Sequence, residues 1–307
     1  MWGRILSCRS LKAVAVLFIL AGFVSVAGAE SLPWNIGVDS SFRVEFLFGH
    51  QIFRHLDPKL LNVTRFVATY DPRLPVLAGT VEITPFPAIS GRLVGSISVA
   101  ESAGEHVITV STITGSQDAT SPFTPTDKWG WDVKTDFSSW EAAGLYHLWS
   151  GGGYRFSFTA GYRQQTWDYR GSPSNGLPDS PLHDSYSAHI PFIGMQTSMF
   201  FPWWKARFEV LGSPFMNVSV SNAFQRGSFG LQFDGNLSRG GLVELQMTGD
   251  VNLAPNVFVG LHGRYSYQEL YGSVSGTGPA AGLGDNPYTA FLGQSFAAVG
   301  LDVTVMF

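Results

Sequence analysis

Residues Phe296–Phe307 read FAAVGLDVTVMF. The odd positions are Ala297, Val299, Leu301, Val303, Val305 and Phe307, all apolar; the even positions include Gly300, Asp302 and Thr304. Successive side chains of a strand point to opposite faces, so this stretch has one greasy face and one small or polar face. The same alternation recurs upstream. Val257, Val259, Leu261, Tyr265 and Tyr267 interleave with Gly260, His262, Arg264, Ser266 and Gln268. Val243, Leu245, Met247, Val251 and Leu253 interleave with Glu244, Gln246, Thr248 and Asp250. Tyr154, Phe156, Phe158 and Tyr162 interleave with Arg155, Ser157, Thr159 and Arg163, and Phe42, Val44, Phe46 and Phe48 with Arg43 and Glu45.

A soluble sandwich also alternates, but with strands averaging about five or six residues and a charge-rich wet face. The runs here reach about the ten residues that cross a bilayer at a tilt. Their polar face mixes glycines and small residues with isolated charges, which is how a narrow barrel is filled. The expected fold is all-β, a transmembrane antiparallel up-and-down barrel of ten strands near 40–50, 76–85, 91–100, 129–149, 154–168, 187–199, 205–219, 237–253, 256–270 and 294–307. Short connections (Pro85–Ser90, Ser150–Gly153, Phe201–Trp204, Ala254-Pro255) alternate with long ones at 51–75, 101–128, 169–186, 220–236 and 271–293, the outer-membrane pattern. In the fourth strand the apolar phase switches between Phe137 and Trp140, which suggests a bulge. Trp149, Trp203 and Trp204 at one end and Trp129, Trp131 and Trp167 at the other are expected to form two aromatic belts at the headgroups.

Composition agrees. The chain has 307 residues, 45% hydrophobic and 14% charged, which excludes disorder, and a net charge of −4, which argues against nucleic acid as a partner. Residues 1–29 read as a cleaved signal peptide: Arg4, Arg9 and Lys12, then the apolar run Ala13–Val24, then Ala27-Gly28-Ala29. A retained anchor helix is the alternative. Cleavage leaves 30–307 as one barrel domain with 16 basic against 23 acidic residues and no cysteine, since Cys8 leaves with the leader.

The inward phase carries Arg43, Arg92, Arg155, Arg163, Lys205, Arg207 and Arg264 against Glu45, Glu82, Glu141, Glu209, Glu244, Asp250 and Asp302, with His262 among them. Unpaired buried charge costs several kcal/mol each, so a salt-bridged interior is expected, with a narrow conduit for a small polar solute as the alternative. Catalytic signals are few. There is no HExxH, no GxSxG and no phosphate loop. Asp179, His183 and Asp184 form one acid–base cluster in an expected external loop, and Asp127 lies near Asp132 and Asp136. A histidine beside carboxylates can act as a general base, although such loop clusters are commonly only solvated. No cofactor and no metal are implied.

The stretches Gly153–Trp167 (GYRFSFTAGYRQQTW), His189–Ser198 (HIPFIGMQTS), Asn256–Tyr265 (NVFVGLHGRY) and Phe296–Phe307, in that order, resemble the omptins, ten-stranded outer-membrane barrels. The terminal Phe307 resembles the signal read by the outer-membrane assembly machinery. The resemblance implies a bacterial outer-membrane barrel binding lipopolysaccharide. It also implies a rim protease with an Asp/Asp pair facing an Asp/His pair. This chain offers only Asp118 and Asp127 for the first, and in Val220–Asn236 only Asp234, without a histidine, for the second. The expectation is therefore a monomeric, non-enzymatic barrel in the outer-membrane lipid. Its loops, above all 101–128 and 271–293, would touch lipopolysaccharide or an external partner. An endopeptidase with a rearranged site and a narrow porin are the alternatives.

Overall fold

The computed structural model describes residues 37–56, 64–99, 102–112, 127–173, 182–226, 229–277 and 288–306. They form one antiparallel sheet of thirteen strand segments. These are β1 Gly37–Leu56, β2 Thr64–Tyr70, β3 Arg73–Phe86, β4 Ile89–Ser98, β5 Ser102–Thr112, β6 Asp127–Gly151 and β7 Tyr154–Pro173. They continue with β8 Leu182–Phe200, β9 Trp204–Ser213, β10 Asn217–Arg226, β11 Phe229–Ala254, β12 Val257–Thr277 and β13 Tyr288–Met306. Three pairs are consecutive pieces of one stave. β2 and β3 pair with β1 in a single register across Asp71-Pro72, β4 and β5 both pair with β6, and β9 and β10 both pair with β11. The segments thus make ten staves. β13 pairs with β1, which closes the ring and leaves no stave with an unpaired edge.

The short-turn end is built by local chemistry. Gly152 and Gly153 both have positive φ, 59° and 83°, as a two-residue hairpin turn demands between β6 and β7. The staves run well past this end's needs: β6 has 25 residues and β11 has 26, against roughly 9–11 for a bilayer crossing.

Along each stave the polarity of the two faces reverses. On the short-turn half the outward residues are apolar and exposed: Phe42, Val44, Phe46 and Phe48 on β1, Val243, Leu245 and Met247 on β11, Val299, Leu301 and Val303 on β13. The inward residues there are polar and buried: Glu45, Arg92, Glu141, Arg163, Glu209, Glu244, Asp250 and Asp302. On the far half the inward residues become Leu74, Trp167, Tyr169, Tyr186, Val218, Phe233, Leu270, Leu292 and Phe296, which form one buried apolar cluster. Their outward neighbours are Ser185, Ser187, Ser219, Ser221 and Asp234. The near half has an apolar coat over a polar interior; the far half has the wet surface and dry core of a soluble protein.

Several sequence expectations are corrected by this reversal. The register of β6 against β7 is unbroken from Trp131 to His147, and its shift falls between His147 and Trp149, so there is no bulge between Phe137 and Trp140. Phe137 is apolar inward on the far half and Trp140 apolar outward on the near half. Staves also reach into all five of the expected loops, as β2, β5, β10, the early parts of β8, β11 and β13, and the end of β12. Trp167 is not a belt residue. It is 1% exposed and stacks on Phe296 with centroids 4.4 Å apart. That ring lies over Gly49, where a Cβ would fall on it. Trp149 and Trp203 are exposed at the short-turn end, and Trp204 stacks on Phe201 at 4.7 Å. Trp129 and Trp131 lie on β6. Phe307 and the 1–29 leader lie outside the described residues.

Candidate functional site

The polar interior of the near half is ordered into ion pairs by the register. Arg92 on β4 grips Glu209 on β9 with both Nη atoms, each 2.9 Å from a carboxylate oxygen, and donates 3.1 Å to Gln196. It also reaches Glu141 on β6 at 3.1 Å. Arg163 on β7 takes the other oxygen of Glu141 at 2.7 Å and binds Glu244 on β11 at 2.7 and 2.8 Å. The chain Glu209–Arg92–Glu141–Arg163–Glu244 therefore crosses the interior from wall to wall, with every member 5% exposed or less. A second group lies beside it. Arg43 donates 2.8 Å to the His262 ring and 3.3 Å to Thr80, and Glu45 is approached by Arg43 at 3.6 Å, His262 at 3.4 Å and Arg264 at 3.8 Å.

Toward the short-turn mouth, Arg207 pairs with Glu82 at 3.3 Å and Lys205 with Asp250 at 3.4 Å. Asp302 accepts from Thr304 at 3.4 Å, and Arg155 lies over the Phe200 ring. Two small polar cavities of about 40 and 50 Å³ lie here, sharing Ser41, Thr80, Arg207, Thr248 and Asp302. They have room for a few waters. His147 is held between Ser90 and Ser157 at 2.8 Å each. Sequence reasoning missed its inward position, as it missed Asp39.

Beyond the ion-pair layer comes an aromatic layer. Tyr70 stacks on Tyr169 at 4.0 Å and Tyr186 stands edge-on to both. Within this core Gln268, Gln294 and Gln51 donate one to the next along adjacent staves, and Tyr169 donates to Gln51 at 2.9 Å. Asn222 donates to the Tyr186 hydroxyl at 2.7 Å. Asp184, 1% exposed, faces the same core, and burial pushes its carboxyl well above the usual range; Tyr169 and Tyr186 are pushed up for the same reason.

The candidate catalytic residues do not converge. His183 and Asp184 stand on β8 rather than in a loop, and as neighbours in a strand they point opposite ways. His183 points outward, 2.9 Å from Asp168, and Asp168 accepts 2.6 Å from Arg170, which also nears Asp136 at 3.7 Å. Asp234 is exposed on β11 and accepts from Ser221 at 2.6 Å and Gln232 at 2.7 Å. Asp127 begins β6, and Asp118 and Asp179 lie outside the described residues. Among the described residues no group of three or more His, Asp or Glu is placed to hold a metal ion.

Closed ring, ten staves and overlong strands define an outer-membrane-type barrel fold, of the omptin kind. The crystal structure of the outer membrane protease OmpT from Escherichia coli superposes with a TM-score of 0.75, covering 91% of this chain and 99% of that one at 14% identity. The translocator domain of the autotransporter NalP from Neisseria meningitidis aligns over 94% of this chain and 97% of its own at 9% identity, with a TM-score of 0.37, too low to carry an argument. No family model and no curated protein matches the sequence.

Proposed function

We propose that this chain is a sealed, non-enzymatic barrel of the bacterial outer membrane. Its apolar half sits in the bilayer. Its polar outer wall and long connections engage lipopolysaccharide or another partner at the cell surface. The observation that carries this reading is the filled interior: a wall-to-wall ion-pair chain backed by a packed aromatic layer. A conduit would have to break charge pairs buried away from water, which costs several kcal/mol each. The acid–base cluster expected at Asp179, His183 and Asp184 is not assembled among the described residues, since His183 is engaged outside with Asp168 while Asp184 is turned inside. Exposed polar residues of the far half, among them Arg170, His183 and Asn217, supply the surface for a headgroup or sugar.

The test is refolded protein in planar bilayers and in a peptide assay. The reading expects no conductance steps, no cleavage of a dibasic peptide, and binding to lipopolysaccharide-coated beads. Steady channel openings would replace it with the narrow porin. Cleavage abolished by His183→Ala would replace it with the endopeptidase.

A further inference from the structure

One inward row crosses five staves near the short-turn mouth. Lys205 on β9, Asp250 on β11, Gly260 on β12, Asp302 on β13 and Arg43 on β1 are successive register partners. The two aspartates need the glycine between them, because a Cβ at Gly260 would fall on Asp250 Oδ1 and on the Gly249 carbonyl. Asp250 thus leans over Gly260, on the side of Asp302. Its Oδ2 is taken by the Lys205 ammonium at 3.4 Å, which also sits 4.8 Å over the Phe258 ring. Asp302 Oδ2 accepts from the Thr304 hydroxyl at 3.4 Å. The two Oδ1 atoms are shut off from water and have no hydrogen-bond partner among the described residues, Asp250 being 4% and Asp302 5% exposed. Both residues line the polar cavity of about 40 Å³, together with Ser41, Thr248 and Thr304.

We propose that Asp250 and Asp302 hold one small monovalent cation over Gly260, coordinated by oxygen: sodium, potassium or ammonium. A buried polar atom without a partner marks a place for an ion or a water, and a buried carboxylate without a counter-charge is strongly unfavourable. The cations of the chain are committed elsewhere. Arg43, beside Asp302 in the row, bonds to His262 and Thr80 and approaches Glu45, and Arg207 pairs with Glu82. Asp39 lines the same cavity without an ion pair to any described residue and deepens its negative potential. Lys205 balances one charge of the aspartate pair, which leaves one negative charge for a monovalent ion to match. Divalent calcium or magnesium draws on about six or more oxygens, usually with several carboxylates, and among the described residues no third acid or histidine completes such a set. The cavity admits an ion with a water or two, and is too small for an organic amine with a tail. This site goes beyond the sealed-barrel reading and does not depend on it, because the ion enters from the mouth and stops short of the ion-pair chain.

The experiment unfolds the full barrel with urea in neutral maltoside micelles at about pH 8, in the chlorides of sodium, potassium, ammonium and N-methylglucamine at equal ionic strength. N-methylglucamine is too large for the cavity, and equal ionic strength removes general screening from the comparison. At about ten times its Kd, the ion that fits should raise the folded-to-unfolded ratio about tenfold over N-methylglucamine, and the most stabilising salt names it. Asp302→Asn should abolish that difference, and Asp71→Asn on the outer wall should keep it. Equal midpoints in all four salts overturn the site, as does an ion effect of the same size in Asp302→Asn. Midpoints that ignore the cation and rise only on acidification, by a slope lost in Asp302→Asn, mean that the pair shares a proton and also overturn it. If Asp302→Asn does not fold, equilibrium dialysis of the folded wild type against the most stabilising ion decides: one ion bound per chain is expected, and none bound overturns the proposal.

Discussion

Arg163 touches two glutamates from two staves and lies 4% exposed. Removing it strands Glu244 as an uncompensated buried charge and leaves Glu141 with Arg92 alone. Arg163→Ala should therefore cost about 3–5 kcal/mol, read as an earlier urea midpoint in detergent, while replacing the ion-pair chain wholesale by apolar residues should be near neutral. Asp184 poses the opposite case, a carboxyl held neutral by burial. Its folded pKa is raised, so the folded state keeps a proton that the unfolded state releases above about pH 4. Its contribution to stability is present below that pH and falls as pH rises toward the folded value, by up to about 1.4 kcal/mol per pH unit. Asp184→Asn should remove that slope. Urea unfolding from pH 4 to 8 checks this, and equal slopes in both proteins would contradict it. The sequence showed Asp184 only as a carboxylate near a histidine. Which way it pointed depended on where β8 begins.

At the scale of the element, β13 carries the whole argument. Its outward row runs Val303, Leu301, Val299, Ala297, Ser295, Gly293, Phe291, Thr289, and its inward row Thr304, Asp302, Gly300, Ala298, Phe296, Gln294, Leu292, Ala290. The parity never slips against β1, yet the apolar parity changes sides near Ala297 and Ala298. Following the apolar parity alone therefore ends each strand at the crossover. The near halves are legible for this reason, whereas the apolar parity alone reads much of the far halves as loop and puts Trp167 in a belt. Substitutions should respect the crossover. Leu301→Arg should cost about 2–4 kcal/mol in a bilayer, and Ser295→Arg close to nothing. Phe296→Ala, which unstacks Trp167, should cost about 3–5 kcal/mol in detergent and bilayer alike.

For the whole molecule, closure through β13 and β1 removes every edge, and the reversal divides the cylinder into a half with an apolar coat and a half with an apolar core. Composition and alternation foretold a barrel. They did not foretell its height, because half of it obeys the rules of soluble sheets. The only cysteine is Cys8, so single cysteines can be placed along one outward row without interference. The most direct test spin-labels Val303, Leu301, Val299, Ser295, Gly293 and Thr289 in turn, in liposomes, and measures collision with oxygen and with a water-soluble nickel chelate. Oxygen should dominate at Val303 through Val299 and nickel from Ser295 to Thr289, with the switch between them. Uniform nickel access along the row would mean that no part of this barrel lies in a bilayer.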